Sequence, residues 1–475
     1  MMTGLTTSAI PEMRTEARTA PAGRAERFLL LELNELCPTL LQQFMAEGHI
    51  PNFKRFYEQS LVYTTDAGEP ASHLEPWIQW PTVHSGQPFA EHRAYQLGDG
   101  RRIQAKCLAQ VLSDAGIPVG VCGSMNTNYQ QLNGYLLPDP WDQNGSAWPA
   151  PLDAYAGPVG RLVRESSRDS ASKKDLFRLG WFLLRNGLSL SAIRDAIGQL
   201  VAEKRDRGVK WRRACVLDRL QYDIFRSLNA RHNVRFATFF CNSTAHFQHY
   251  YWRHMDPQRF DMLPDAADHP SLSGAILTGY RRMDRLVGLL MRDYPDARLA
   301  ICTALSQQPW TDTTKCTYRP KKFADLLAFA GVALDESAVK PVMAEQFHLQ
   351  CGSAEQADAA ETLLRDLTLD GSPAMSVKRK GDNIFAGCRV TSSNVLDFPI
   401  TRQATGTIRP FRDLFYRIHT MRSGKHHPEG VLWVRTGQHR VVEERVPLTS
   451  IAPTVLQHFG VAPPETMRDQ ALELD

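Results

Sequence analysis

The sequence predicts an α/β protein built on a mainly parallel sheet with helices on both faces. Two observations predict it: short apolar runs alternate with segments of helical period, and polar side chains follow several of the apolar runs. The chain has 475 residues, of which 43% are hydrophobic and 22% charged, so it can bury a large core and carry insertions. Its formal net charge of +4 is too small to predict nucleic-acid binding.

The first part of the core is predicted from β-α-β alternation. Residues 1–27 are rich in Thr, Ala and Arg without an apolar run suited to a secretory signal, and are predicted to be a disordered tail. An apolar strand over 28–34 follows, and then a helix that begins at Pro38 and ends at Gly48. The next predicted elements are a helix from 50, a strand over 61–65, helical segments over 75–85 and 104–115, and a strand over 118–122. This alternation is typical of a parallel sheet.

The pattern is interrupted in three places. Residues 130–160 are rich in Pro, Trp, Asp and Gly and are predicted to form a long irregular loop. Residues 162–231 carry apolar residues at helical spacing among many Arg and Lys, which predicts a helical insertion with solvated basic faces. Residues 318–400 contain a strand, a helix and a hairpin that turns at 380–383, so a small α+β insertion is predicted there.

The core pattern resumes between and after these insertions. The predicted elements are a strand over 234–241, a helix over 271–294, strands over 297–303 and 431–434, and a helix over 451–459. The predicted organisation is a tail (1–27), a core in three parts (28–160, 233–317 and 401–475), a helical insertion (161–232) and a small α+β insertion (318–400).

Cysteine usage and hydropathy predict a soluble cytoplasmic protein. The nine cysteines are odd in number, scattered and never in a CxxC pair, which favours free thiols in a reducing compartment. The apolar segment 176–190 is broken by Arg185, Asn186 and Gly187 and is shorter than the ~20 residues of a membrane helix. We therefore predict no membrane span.

Polar residues cluster at the ends of the predicted core strands. They are Glu32, Asn34 and Glu35, then 242–249, then Ser306, Gln307 and Gln308, and finally 424–430 before the last core strand. Ligands of open α/β sheets bind beyond the carboxyl ends of the strands, and carboxylates and imidazoles bind divalent metals. His246 and His249 are three apart and could share a helix face, whereas adjacency allows at most one of His426 and His427 to be a ligand. Histidines that merely cap or pack are the alternative.

A second candidate segment is 73–86. Pro76 after Glu75 is a helix-start signal, and Glu75, Gln79 and Thr82 would then share one face. Pro81 disfavours a continuous helix. The helix N-terminus could bind an anion such as phosphate; alternatively, the tryptophans of the segment belong to the core and its polar residues only cap.

Several short segments carry a family resemblance. They are LCPTLL at 36–41, IPNFKRF at 50–56, SG at 85–86 with EH at 91–92, NSTAH at 242–246, GKHHPEGVL at 424–432 and SIAPTVL at 450–456. In this order they resemble the alkaline phosphatase superfamily, in particular its type I phosphodiesterase and nucleotide pyrophosphatase branch. The last two are the most specific, being similar to G-x-H-x-P-E-G-I and D-I-A-P-T-I-L. The resemblance spans 28–465 apart from the two insertions and implies that family's fold.

The departures from the family's pattern fall on its chemistry. Asn34 and Asn242 stand where the family has metal-binding aspartates, its D-H-G segment after the strand ending at Thr303 is absent, and its nucleophile position falls near Pro76. His246 and His426 match its metal-ligand positions. Because amides replace carboxylates, a two-zinc site is not expected. The resemblance implies instead one zinc or manganese ion held by His246, His426 and Glu32, or by Asn34 in place of Glu32.

The function that the resemblance implies is a metal-assisted hydrolase or transferase acting on a small-molecule phosphate or sulfate ester or diester. Glu75 would be the general base, or Thr82 a displaced nucleophile. The residues expected to contact substrate are Asn34, Gln79, Asn242, Ser306 and Gln307. The alternative is a catalytically degenerate member that binds a phosphorylated or glycan ligand or a partner protein, and a different chemistry on the same scaffold is a third hypothesis. Metal binding distinguishes the first two.

Overall fold

A mainly parallel sheet lies at the centre of the molecule, which we describe from a computed structural model. The structure describes residues 27–142, 144–164, 173–260, 263–264, 269–311, 316–341, 345–392, 395–418 and 422–474. The predicted disordered tail, except residue 27, lies outside these ranges.

The strands of the described residues are, in chain order, β1 (Phe28–Leu33), β2 (Ser60–Asp66), β3 (Val119–Cys122), β4 (Gly134–Leu137), β5 (Phe236–Cys241), β6 (Arg298–Cys302), β7 (Ser306–Pro309), β8 (Tyr318–Pro320), β9 (Val339–Pro341), β10 (Gln346–Gln350), β11 (Leu367–Leu369), β12 (Ser372–Pro373), β13 (Met375–Lys380), β14 (Asn383–Cys388), β15 (Pro399–Arg402), β16 (Thr407–Pro410), β17 (Phe415–Arg417), β18 (Gly424–His427), β19 (Glu429–Arg435) and β20 (Arg440–Pro447).

The α-helices of the described residues are α1 (Pro38–Ala46), α2 (Pro51–Tyr57), α3 (Pro76–Ser85), α4 (Phe89–His92), α5 (Leu108–Asp114), α6 (Asp153–Arg164), α7 (Lys173–Arg185), α8 (Leu190–Arg205), α9 (Arg213–Arg231), α10 (Ser243–Met255), α11 (His269–Leu272), α12 (Ala275–Asp293), α13 (Phe323–Ala330), α14 (Ala354–Arg365), α15 (Phe411–Leu414) and α16 (Ile451–His458).

The central sheet has the strand order β20-β2-β19-β6-β1-β5-β3-β4. Strand β1 is parallel to β5 and β6, β3 is parallel to β4 and β5, and β2 is parallel to β20. Strand β19 is antiparallel to both β2 and β6. The carboxyl ends of β1, β2, β3, β4, β5 and β6 and the amino end of β19 therefore meet at one edge, which we call the ligand edge. The predicted α/β fold class is confirmed.

Side chains of β1 alternate between two hydrophobic cores, one on each face of the sheet. Leu29, Leu31 and Leu33 pack with residues of α1, α2, α9, α10 and α12. Phe28 and Leu30 pack with residues of α3, α5 and α16. All six residues of β1 are buried, as expected of a strand that helices cover on both faces.

The structure differs from the predicted elements in several places. The predicted loop over 130–160 contains the edge strand β4 and the start of α6, the predicted helix over 104–115 begins only at Leu108, and β20 adds a strand beside β2. Helix α3 is continuous although it contains Pro81. The carbonyl of Trp77, which the missing Pro81 N–H would have bonded, instead accepts a hydrogen bond of 2.6 Å from Asn126 Nδ2.

Further elements occupy the ranges predicted to be insertions. Helices α7, α8 and α9 lie within 173–231, and two four-stranded sheets, β13-β14-β10-β9 and β12-β11-β15-β16, lie within 339–410. A third hydrophobic core extends from Cys316 to Phe415. The division into domains stays a prediction. None of the helices described is both long enough and apolar enough to cross a bilayer.

Candidate metal centre

Three side chains converge at the ligand edge in an arrangement that suits a cation. One ligand atom each of Glu35, His249 and His426 lies within 4.8 Å of the other two. Glu35 Oε2 is 3.0 Å from His249 Nε2 and 3.3 Å from His426 Nε2. Within the part of the chain that the structure describes, this is the one group of three or more such residues close enough to share an ion.

Glu35 reaches this position because the chain turns sharply after β1. Its backbone is in the left-handed region, with φ at 60°, which costs a residue with a side chain roughly 1–2 kcal/mol. The turn is held by Gln248, whose Nε2 donates a 2.6 Å hydrogen bond to the Glu35 carbonyl, and by a bridge between Glu35 and Ser306. Strained backbone of this kind is frequent at functional sites.

The two histidines come from elements on either side of Glu35. Helix α10 follows β5 and carries His249. His426 lies in β18, which pairs with β7 so that His426 is opposite Gln307. The Ser423 N–H donates a 2.7 Å hydrogen bond to the His249 carbonyl, which ties β18 to α10. Because β19 is antiparallel to β6, the segment that precedes it lies at the ligand edge, and this explains why His426 comes before a core strand.

The charges of the three groups depend on one another. Burial alone would raise the pKa of Glu35, but His249 and His426 hold it well below its usual value, so the carboxylate is ionised. Burial lowers the pKa of His249, against the opposing effect of Glu35. Burial also opposes protonation of His426, yet the carboxylates of Glu35 and Glu75 raise its pKa above the usual value.

The donor set fits zinc or manganese. Two imidazoles and one carboxylate form a three-ligand set typical of catalytic zinc, which leaves a coordination position for water or substrate, and manganese accepts the same nitrogen and oxygen donors. Gln307 Oε1 is buried without a hydrogen-bond partner, and His426 Nε2 lies 3.3 Å from Glu35 Oε2. Gln307 Nε2 donates to Glu35 Oε2, a contact of the kind that orients metal-binding carboxylates.

Glu75, which is predicted to be a general base, lies beside the cluster. Its Oε2 is 3.6 Å from His426 Nδ1, and its side chain is 32% exposed. Burial raises the pKa of Glu75, and the neighbouring Glu35 adds to this, whereas His426 and Arg422 lower it. A partly exposed carboxylate with a raised pKa is chemically suited to accept a proton from water.

Asparagine side chains complete the surroundings of Glu35. Asn34 Nδ2 lies 2.9 Å from Glu35 Oε1 and 2.7 Å from Asn242 Oδ1, and donates to both. Trp80 Nε1 donates a 2.8 Å hydrogen bond to Asn34 Oδ1. The structure thus brings Asn34, Asn242 and Gln307 to the cluster. Of the other residues expected to contact substrate, Ser306 uses its hydroxyl to bond the Glu429 carbonyl.

Glu32, which is predicted to be a metal ligand, lies outside the cluster. Its Oε1 is 3.0 Å from His84 Nε2, and its Oε2 accepts a 2.8 Å hydrogen bond from Ser124. Alternation along β1 directs Glu32 to the sheet face of Phe28 and Leu30, where α3 covers it completely. Glu32 is therefore buried in the core, in contact with His84 and Ser124.

We expect Glu32→Leu to lower the free energy of unfolding by about 2 kcal/mol, because it leaves the buried His84 Nε2 without its partner. Urea denaturation would measure the loss. Metal content should equal that of the wild type, and loss of the metal from the folded variant would contradict the assignment of Glu32 to the core.

His246 is also outside the cluster. Its side chain is exposed and lies against Tyr250, with ring centroids 4.9 Å apart. Three residues further along α10, the chain has turned by about 300°, and His249 faces Glu35 instead. The motif match at 242–246 ends at His246, but the histidine of α10 that contacts Glu35 is His249.

Thr82 and Gln79 make contacts of their own away from the cluster. Thr82 Oγ1 is 3.1 Å from His92 Nε2, and His92 Nδ1 accepts a 3.1 Å hydrogen bond from the Ala94 N–H. Burial lowers the pKa of His92 to about 4, so the ring is neutral, its proton is on Nε2, and it donates to Thr82 rather than activating it. Gln79 is fully buried and donates a 2.9 Å hydrogen bond to the His73 carbonyl.

Glu35 and His249 are among the polar residues at the ends of the predicted strands, but neither is among the predicted metal ligands. Two features of the sequence point to them as alternative ligands. His249 follows the predicted ligand His246 by three residues, and Glu35 follows Asn34 directly. Which member of each pair points at His426 depends on the turn at Glu35 and on the rotation of α10 about its axis.

Comparisons with known proteins concern the fold. No protein-family model and no curated protein matches the sequence. Matching solved structures include an inactive variant of murine ectonucleotide pyrophosphatase/phosphodiesterase 5 in complex with AMP, which is 10% identical over 92% of this chain and 96% of that chain, with a TM-score of 0.41. Phosphonoacetate hydrolase from Sinorhizobium meliloti in complex with phosphonoformate is 13% identical over 90% and 94%, with a TM-score of 0.38. Both enzymes belong to the alkaline phosphatase superfamily that the motifs resemble. Similarity at this level shows nothing about the activity of this protein.

Proposed function

We propose that this protein is a metal-dependent hydrolase of small-molecule phosphate or sulfate esters or diesters, with one zinc or manganese ion held by Glu35, His249 and His426. The observation that carries the proposal is the convergence of one carboxylate and two imidazoles within 4.8 Å at the ligand edge. The partly exposed carboxylate of Glu75 next to this set supports a catalytic role over a purely structural one.

A divalent cation bound there would polarise the ester group and favour deprotonation of water. The side chains around it hold the ligands in place. Asn34 donates to Oε1 of Glu35 and Gln307 donates to Oε2, so the plane of the carboxylate is fixed from both sides. Arg422 is close enough to lower the pKa of Glu75, and its positive charge would favour an anionic ester at the same place.

Glu75 is the general base in this proposal. It precedes the first turn of α3, outside the three ligands and 3.6 Å from His426 Nδ1. The pKa of Glu75 is raised. A raised pKa is closer to the pH at which an enzyme operates, and this favours general-base catalysis. Thr82 receives no catalytic role, because it accepts a hydrogen bond from His92 and contacts none of the three ligands.

The Glu75→Gln variant tests the proposal. We expect its kcat for an activated diester such as bis(4-nitrophenyl) phosphate to fall about a hundredfold, while the metal content stays unchanged, because Glu75 is not one of the three ligands. Thr82→Ala, on the same helix, is the matched control and should retain wild-type kcat.

One outcome would count against a hydrolase, and another against the role of Glu75. A wild-type protein that binds the metal but turns over no phosphomonoester, phosphodiester or sulfate ester would favour the alternative of a ligand-binding protein without catalysis. Equal kcat for Glu75→Gln and the wild type would remove the general-base role.

We also propose a cytoplasmic location, supported by nine scattered cysteines whose thiols are free and buried.

A further inference from the structure

Large apolar side chains are concentrated on the surface of α7 and α8. Of the fourteen exposed large hydrophobic residues among those that the structure describes, seven lie between 177 and 201. They are Phe177, Trp181, Leu184, Leu190, Ile197, Leu200 and Val201. Single exposed apolar residues are ordinary, whereas a concentration of this size marks an interaction surface.

On each helix these residues form a stripe on one face. Phe177, Trp181 and Leu184 are spaced i, i+4 and i+7 on α7 and are 75%, 52% and 61% exposed. The opposite side of α7 is occupied, since Leu179 and Leu183 are buried in the core. Helix α7 therefore packs through one apolar face and presents a second one to solvent.

Helix α8 repeats the arrangement. Leu190, Ile197 and Val201 are spaced i, i+7 and i+11 and are 84%, 56% and 44% exposed. Arg194 and Lys204 are exposed on the same side of the helix. An apolar stripe flanked by basic residues is thus present on both helices, although the whole chain is close to neutral.

The positive charge of the chain is concentrated here. Residues 173–213 contain eleven Lys or Arg and four Asp or Glu, whereas the formal net charge of all 475 residues is +4. On α7 the exposed Arg178 and Arg185 flank the apolar stripe, and the guanidinium of Arg185 lies 4.7 Å from the centroid of the Trp181 ring. With Phe182 and the acidic Asp153 these residues line a groove of about 530 Å³.

We propose that α7 and α8 dock this protein on an anionic membrane surface. Helices that expose Trp, Phe and Leu beside Lys and Arg insert their apolar side chains at the headgroup boundary, while the basic residues attract anionic lipids. A second copy of the chain fits the surface less well, because two such faces would bring the same positive charge together. The proposal goes beyond the hydrolase activity and does not depend on it.

Co-sedimentation of the full chain with vesicles tests the proposal. We expect binding to phosphatidylcholine vesicles that contain about one third phosphatidylglycerol, and at least about tenfold weaker binding to phosphatidylcholine alone. The variant F177S/W181S/L184S and the charge-reversal variant R178E/R185E should each bind the anionic vesicles at least about tenfold more weakly than the wild type. The matched control is F398S/I408S, which removes two residues that are 45% and 60% exposed elsewhere and should leave binding unchanged.

Other outcomes would overturn the proposal. Absence of binding to anionic vesicles, or equal binding by the wild type and both α7 variants, would remove the membrane surface as the occupant. Concentration-dependent self-association without vesicle binding, abolished in the triple variant, would assign the surface to a second copy instead. Thermal unfolding of every variant checks that the fold is retained, and the charge-reversal pair tests the surface even if the triple variant unfolds.

Discussion

The His249→Ala variant is expected to bind zinc or manganese roughly a thousandfold more weakly than the wild type, which is about one ligand's share of the binding free energy of a zinc site. His249 Nε2 lies 3.0 Å from Glu35 Oε2, and its removal leaves only one carboxylate and one imidazole. Isothermal titration calorimetry on the apoprotein, together with elemental analysis after dialysis, measures the loss.

The matched control is His246→Ala, three residues earlier on the same helix. His246 is exposed and packs against Tyr250, so this variant should keep wild-type metal affinity. Comparison of the two variants therefore tests whether the metal ligand is His246, which the motif match favours, or His249, which lies beside Glu35. Retention of the metal by His249→Ala and its loss from His246→Ala would contradict the proposed centre.

The Asp218→Asn variant is expected to be stabilised at neutral and higher pH. Asp218 is buried on α9 and accepts a hydrogen bond from the Ser243 hydroxyl. Burial raises the pKa of Asp218 from 3.8 to about 7, so the folded protein binds a proton that the unfolded chain has released above about pH 4. The free energy of unfolding therefore falls as the pH rises towards the folded pKa, and above it the folded state contains a buried charge.

Asparagine removes this dependence and can still accept the Ser243 hydrogen bond. Between about pH 5 and pH 8 the stability of Asp218→Asn relative to the wild type should increase by about 3 kcal/mol, since two pKa units correspond to that energy. Urea denaturation across this range measures it. Asp223→Asn on the same helix is the control. Asp223 pairs with Arg219, so this substitution should lower the free energy of unfolding at pH 8. An Asp218→Asn effect that does not vary with pH would contradict the raised pKa.

The paired amides at the ligand edge support the proposal of one cation rather than two. Asn34 Nδ2 lies 2.7 Å from Asn242 Oδ1, so the two side chains satisfy each other where the resembling family has metal-binding carboxylates. A second dication would lie beside neutral groups, without the negative charge that offsets repulsion between two close cations. Glu35 supplies the carboxylate of the proposed centre from the neighbouring position in the chain.

The core of the fold could be predicted from the sequence where a segment's own pattern decides its structure. The buried run of β1, the helix from Pro38 and the hairpin over 375–388 carry their signals within a few residues. Strands β4 and β20 do not. Strand β4 has four residues and lies at an edge of the sheet, and β20 is largely exposed and polar, so the neighbouring strand rather than the local pattern makes each of them a strand.

The sequence by itself determined that carboxylates, amides and imidazoles gather at one edge of a mainly parallel sheet, because strand ends and chain order are local features. It also selected His426 and Glu75, which adjoin each other in the structure. Only the tertiary structure decided which of Glu32 and Glu35, and which of His246 and His249, lies beside His426. The first choice depends on the side-chain alternation of β1 and the left-handed turn at Glu35, and the second on the rotation of α10 against the sheet. The turn at Glu35 is held by a segment more than two hundred residues away in the chain, through the hydrogen bond from Gln248 to the Glu35 carbonyl, and so lies beyond the reach of a local sequence pattern.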